Sequence, residues 1–196
     1  TSKKMESLPT DANIETFSPE DAKAIDKPTE KFYCKLSDNK FLIKFLRYKL
    51  RDYDSGIILA DMFHPNVEDE QILNDDISEE ERLIQYKFGP DFLDLDTIGT
   101  QLDFSVGDKP VKDFLMVEKH FFRERILKDY EFDFKFCIPN TENSWEQIYQ
   151  LPQLSEEEKE DIIANPWEVK SDTFFFVENK LVMHTRAMYD YSPFDL

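Results

Sequence analysis

Two antiparallel β-sheets packed face to face, an all-β sandwich, form the architecture that this sequence predicts, and three observations predict it. Apolar side chains recur at every second position in about eight or nine short segments, most clearly at Tyr130, Phe132, Phe134, Phe136 and Ile138. Strand-like and helix-like segments do not alternate, so nothing asks for a parallel sheet with crossover helices. Each of the four glycines falls at or beside a turn between such segments. At 196 residues the chain fits one domain and can bury a core without staples.

Residues 1–17 are polar without periodicity and read as a flexible arm ahead of a single domain, 18–196. The segment SPEDAKAI from Ser18 has the N-cap Ser, the Pro at the first helical position and the first-turn acids of a short helix. From Lys40 strand character takes over. Ile43 and Phe45 share a face, but Tyr48 and Leu50 fall out of phase with them, so a bulge near Leu46–Arg47 is required if Phe45 and Tyr48 face one interior. RDYDSG is a turn into the apolar run IILADMF, which makes a hairpin. Residues 64–81 carry eight acids and no Lys or Arg, the composition of a solvated loop. RLIQYKF reads as a strand with Ile84, Tyr86 and Phe88 together; Gly89–Pro90 ends it, and TQLDFSV alternates again. After Pro139, NTENSWEQIYQLP reads as a connection whose helical turn sets Trp145, Ile148 and Tyr149 against the sandwich. A helix capped by Ser155 and Glu158 follows, so 144–165 is expected as a helical insertion. TFFFV and LVMHTRAMYDY, joined at Glu178–Asn179–Lys180, close the chain as a hairpin with Leu181, Met183, Thr185, Ala187, Tyr189 and Tyr191 on one face.

Composition narrows the function. Forty-two acidic against 24 basic residues give a formal net charge of −18, which repels nucleic acid and anionic bilayers and favours basic or neutral partners. No apolar run approaches the roughly 18 residues of a membrane span, so no stable membrane insertion is expected. Cys34 and Cys137 are few and far apart, as free thiols of a reducing compartment are. The load of 18 Phe, 8 Tyr and 2 Trp exceeds what a layer of about 10 Å interdigitates easily, and predicts sheets wedged apart around a cavity.

The segment Gly107 to Arg123 is the most informative. A period of two puts Phe114, Met116, Glu118, His120 and Phe122 on one face and Leu115, Val117, Lys119 and Phe121 on the other. A carboxylate beside three large apolar groups needs a partner. Two readings stand: a structural ion pair at the rim of the core, or the polar mouth of a hydrocarbon-lined cavity. Gly-rich phosphate loop, nucleophile elbow and metal-spaced histidines are all missing from the sequence, so no enzyme and no cofactor is expected.

VGDKPVKDFLMVEKHFFRERILK, YEFDFKFCIPNTENSWEQIYQLPQLS and SDTFFFVENKLVMHTRAMYDY resemble the signature segments of the uncoordinated-119 (Unc-119) family of lipid-binding chaperones, and RYKLRDYDSGIIL and YKFGPDFL extend the match over about residues 17–192. That family stands in the superfamily of the prenyl-binding phosphodiesterase delta subunit and the Rho GDP-dissociation inhibitors. The resemblance implies an immunoglobulin-like β-sandwich with a lipid cavity between its sheets. It further implies a cytoplasmic carrier, enriched at the base of a cilium or flagellum, that takes the myristoyl group of N-myristoylated proteins as its ligand and is emptied by a GTP-bound Arf-like small GTPase. On the family pattern the acyl tunnel is lined by Phe45, Tyr48, Leu50, Leu83, Tyr86 and Phe92, and the cargo N-terminus is held by Glu118, His120, Tyr149, Phe175 and Tyr189. Phe175 stands where a Tyr is frequent, Gln147 where a His is, and Leu83 where an aromatic is, and these departures bear on cargo preference. A prenyl-binding solubilising factor and an interaction sandwich without a lipid ligand are the alternatives.

Overall fold

In a computed structural model, which describes residues 16–64 and 68–194, the alternating segments pair into two sheets. One holds β1 (Lys44–Asp52), β2 (Ile58–Phe63), β4 (Thr97–Ser105) and β7 (Glu142–Gln150) in the order β2-β1-β4-β7. The other holds β3 (Ile84–Lys87), β5 (Val111–Phe122), β6 (Arg125–Cys137), β8 (Val169–Val177) and β9 (Lys180–Asp190) in the order β3-β9-β8-β5-β6. Pairing is antiparallel except at one edge, where β3 runs parallel to β9 with Tyr86 opposite Tyr189. The chain between these two strands, residues 88–179, is far longer than the connection that a parallel pair needs. Among the described residues four short α-helices accompany the sheets: α1 (Pro19–Ala24), α2 (Asp69–Ile72), α3 (Glu79–Arg82) and α4 (Glu156–Ala164). The last two carry reciprocal Ser–Glu caps, Ser78 with Glu81 and, as the sequence predicts, Ser155 with Glu158. The acidic loop therefore contains α2 and most of α3.

The bulge required by the phase of Tyr48 is present. Pairing of β1 with β4 slips between Phe45 and Arg47, after which Tyr48 faces Leu102 and Leu50 faces Thr100. Other expectations are corrected. Residues 142–150 form a strand and not a helical turn; its inward positions are Trp145, Gln147 and Tyr149, and Ile148 points to solvent. The residues around Trp145 are β-branched or aromatic at only three of nine positions, and β4 supplies the ladder that decides the matter. The alternation of β6 breaks at Lys135, whose φ of 74° marks a bulge. Cys137 turns inward and Phe136 and Ile138 turn out, the opposite of the unbroken pattern. A second slip between Phe175 and Phe176 sends Leu181 to the outer face and draws Val182 into the interior.

Between the sheets the apolar side chains form two clusters. One, at the Trp145 end, gathers Ile43, Phe104, Phe114, Met116, Phe175 and Val182. The other gathers Leu50, Phe92, Ile98, Phe122, Tyr149, Ile162 and Tyr191. A third cluster lies outside the sandwich. Phe17, Ala22, Ile25 and Tyr33 cover Val117, Phe121, Phe174 and Phe176 on the outer face of the five-stranded sheet. The central strands β5 and β8 are thus buried on both faces. The aromatic surplus that predicted a wedge between the sheets is partly used in this third layer. Phe17, placed by the sequence in a polar arm, is only 3 % exposed; the rest of that arm except Thr16 lies outside the described residues.

Buried polar groups latch this N-terminal strap. Asp172 accepts hydrogen bonds from the Thr29 amide (2.9 Å), the Thr29 hydroxyl (2.5 Å) and His184 Nε2 (3.0 Å). His184 Nδ1 in turn accepts from the Tyr33 amide at 3.0 Å, which fixes the neutral tautomer. Arg186 donates to the Thr29 carbonyl at 2.6 Å, and Arg82 lies 3.8 Å from the centre of the Phe32 ring. Lys119, 1 % exposed, donates to the Lys23 and Ile25 carbonyls at the end of α1 and contacts Asp129 at 3.0 Å.

Candidate functional site

β5 is the strand that carries charge into the interior. Because its outer face is sealed by the strap, its inner face holds Glu118 and His120 against the opposite sheet. His120 Nε2 pairs with the Glu118 carboxylate. Across the β5–β6 ladder His120 faces Lys128 and Glu118 faces Tyr130. Lys128 is 9 % exposed and stands 5.6 Å over the Tyr149 ring. The His120 ring lies 5.1 Å from that of Tyr189, which stacks on Tyr86 at 5.4 Å and hydrogen-bonds Ser171 at 3.0 Å. Tyr86 reaches Tyr48 across the sheets at 6.1 Å. The result is a charged node inside a ring of tyrosines.

Its electrostatics follow from burial and from this pairing. Burial pushes the Glu118 carboxyl up, but the hydrogen bond from His120 and the nearby Lys128 charge outweigh it and leave the group below its ordinary range, hence ionised. Burial and Lys128 push the His120 imidazole down, hence neutral. Burial brings the Lys128 ammonium down to about 8. The phenols of Tyr48, Tyr149 and Tyr189 are pushed well above their usual value, first by burial and then by the Glu118 carboxylate.

The residues inferred by resemblance are regrouped by the fold. Glu118, His120, Tyr149 and Tyr189 come together, and Tyr48 and Tyr86, inferred to line the tunnel, stand with them. Leu50 and Phe92 are buried in the same half of the sandwich. Phe175, inferred for the mouth, packs instead in the other half, 5.1 Å from Phe45 and 6.2 Å from Phe114. Leu83 caps α3 and joins none of the three apolar clusters among the described residues. Gln147 accepts from the Thr100 hydroxyl at 2.9 Å, and its Nε2 is buried without a partner. Lys128 was missed, although the signal was available: the period of two that runs through Tyr130, Phe132 and Phe134 places Lys128 on the same inward face when continued one step toward the N-terminus. His120 and Lys128 flank a cavity of about 30 Å³ walled by Phe92, Leu127, Leu151, Ile162, Val169 and Tyr191. That is the space of about one water. An acyl chain enters there only if the surrounding rings rotate or the sheets separate. Among the described residues no cluster of acidic, Cys or His side chains is arranged to hold a metal.

Residues 37–191 match the family described as GMP-PDE, delta subunit. Protein unc-119 homolog B of Homo sapiens is 44% identical over 184 residues, covering 91% of this chain and 73% of the relative. Protein unc-119 of Caenorhabditis elegans is 43% identical over 175 residues, covering 89% and 80%, and the Drosophila melanogaster homolog is 36% identical over 197 residues, covering 92% and 74%. The chain belongs to the Unc-119 family, within the delta-subunit superfamily. This is a family of lipid-binding solubilising factors and not of catalysts.

Proposed function

We propose that this protein is a cytoplasmic carrier that encloses the N-terminal myristoyl group of acylated proteins, solubilises them and surrenders them at a target membrane, ciliary or signalling, when a GTP-bound Arf-like GTPase binds. It has no catalytic role in this reading. The observation that carries it is the Glu118 carboxyl group paired with His120 between two apolar half-cores, in a chain of the Unc-119 family. Hydrocarbon burial supplies affinity at about 0.8 kcal/mol per CH₂, but a bilayer offers the same. Selectivity must therefore come from polar groups. Glu118 accepts hydrogen bonds from the first backbone N–H groups of an acylated peptide, which a thioether-linked prenyl group at a C-terminal Cys does not present. Among the described residues no helix is long and apolar enough to cross a membrane.

Fluorescence polarisation with matched myristoylated, farnesylated and unmodified peptides tests the proposal. The myristoylated peptide is expected to bind, and a GTP-loaded Arf-like GTPase to release it. Preference for the farnesylated peptide makes the protein a prenyl carrier, and indifference to the lipid removes the reading.

A further inference from the structure

Two polar atoms at the node lack partners, and both belong to side chains more than nine-tenths buried. His120 Nδ1 is buried without a hydrogen bond. The Lys128 ammonium makes no hydrogen bond or contact ion pair among the described residues; it rests over the Tyr149 ring. Since Nε2 serves Glu118 and the ring is neutral, Nδ1 is an acceptor, whereas the ammonium only donates. Both side chains line the same small, otherwise apolar cavity. A buried acceptor left open and an ammonium without a hydrogen bond, both lining one cavity, are complementary to one common group that lies between them and brings both functions, the secondary amide.

We propose that Lys128 is a specificity-determining residue of this site, its ammonium donating to the carbonyl oxygen of the amide that joins an acyl chain to its peptide while His120 Nδ1 accepts the amide N–H. The inference rests on the lipid-carrier reading and adds the part of the ligand that is recognised. Glu118 remains free for the next peptide N–H. Hydrocarbon fills the apolar interior on one side of the node, the peptide leaves on the other, and the linkage is read at the node itself. A thioether offers neither group, and an ester offers only the carbonyl.

Three fluorescent probes with one peptide and one C14 chain, joined by an amide, an ester or an ether, test this by polarisation. Wild type is expected to bind the amide about tenfold tighter than the ester, and the ester about tenfold tighter than the ether, since each step removes one hydrogen bond to a buried or charged partner. Lys128→Met, close in volume, is expected to erase the ester-over-ether step and to leave the ether probe within about twofold of wild type. Its melting temperature should fall somewhat, because the buried Glu118 carboxylate loses a compensating positive charge, and the retained binding of the ether probe shows that the variant is folded. In wild type the same step is expected to shrink as the pH rises past about 8, where Lys128 loses its proton and its hydrogen bond its charge assistance. The groups around Lys128 do not titrate there: Glu118 and His120 on β5 are pushed down, and Tyr130 on β6, Tyr149 on β7 and Tyr191 just after β9 are pushed up. Equal weakening of all three probes by Lys128→Met, or an undiminished ester-over-ether step in that variant, overturns the inference. If wild type binds all three alike, the inference fails and the lipid carrier stands; if it binds none, both fail.

Discussion

Asp172→Asn tests whether the N-terminal strap is held by its buried polar latch. The carboxylate receives three hydrogen bonds, two from Thr29 and one from His184, and lies 3.8 Å from Arg186. Asparagine keeps the shape. Its oxygen still accepts from the Thr29 hydroxyl and from His184, but its NH₂ group meets the Thr29 amide donor to donor. One charge-assisted bond worth about 1.5–3 kcal/mol is lost and two become neutral, each weaker by about 1 kcal/mol. Relief from burying a charge offsets part of this, so a net loss of about 3 kcal/mol is expected. For a domain of this size that lowers Tm by about 6–12 °C. Differential scanning calorimetry reads the global effect, and limited proteolysis between residues 25 and 35 reads release of the strap itself. A Tm within about 2 °C of wild type with unchanged proteolysis would refute the latch and leave the apolar contacts of Phe17 and Tyr33 as the sole anchor.

The latch also gives the protein an acid-sensitive side. His184 and His120 both have lowered values, each chiefly through burial, so the unfolded chain binds more protons below about 6.5. Their contribution to stability is complete above that pH and is lost as pH falls; Asp172 and Glu118, also lowered, add a further loss at lower pH. A melting series from pH 7.5 to about 4.5 should therefore decline steadily, and a flat series contradicts the tautomer assigned to His184. Phe17→Ala removes a ring that lies 5.0 Å from Tyr33 and 5.1 Å from Phe174, and should cost about 3 kcal/mol in urea unfolding. Glu118→Ala should weaken a myristoylated peptide at least tenfold in polarisation assays while lowering Tm by only a few degrees, roughly the loss of one charged hydrogen bond. The reverse order of effects returns Glu118 to a structural ion pair.

Periodicity made much of the fold legible. The strands with strict alternation, the caps at Ser18 and Ser155, the Glu178–Asn179 turn with both φ values positive, and the phase slip at Leu46 are local facts, encoded within a few residues of where they act. The segment around Trp145 was misread because Trp145 and Tyr149 are four apart, a spacing that fits a helix and a strand alike, and only β4 beside it settles the choice. The slips at Lys135 and Phe176 were invisible because a bulge changes which residue faces inward without changing composition. The candidate site was legible in part: one strand's alternation singled out Glu118 and His120, and the resemblance supplied the remaining positions.

The sequence by itself determined the sandwich class, the acid–imidazole pair on an apolar face and the family, because each is carried by spacing along the chain. Only the tertiary structure decided that β3 runs parallel to β9, that the outer face of β5 and β8 is covered by a strap latched through Asp172 and His184, and that Lys128 joins Glu118 and His120. The first two are contacts between residues far apart in sequence, and the third is set by the register of the β5–β6 ladder. A buried charge reveals its purpose only through the partner that faces it, and the partner is chosen by the fold.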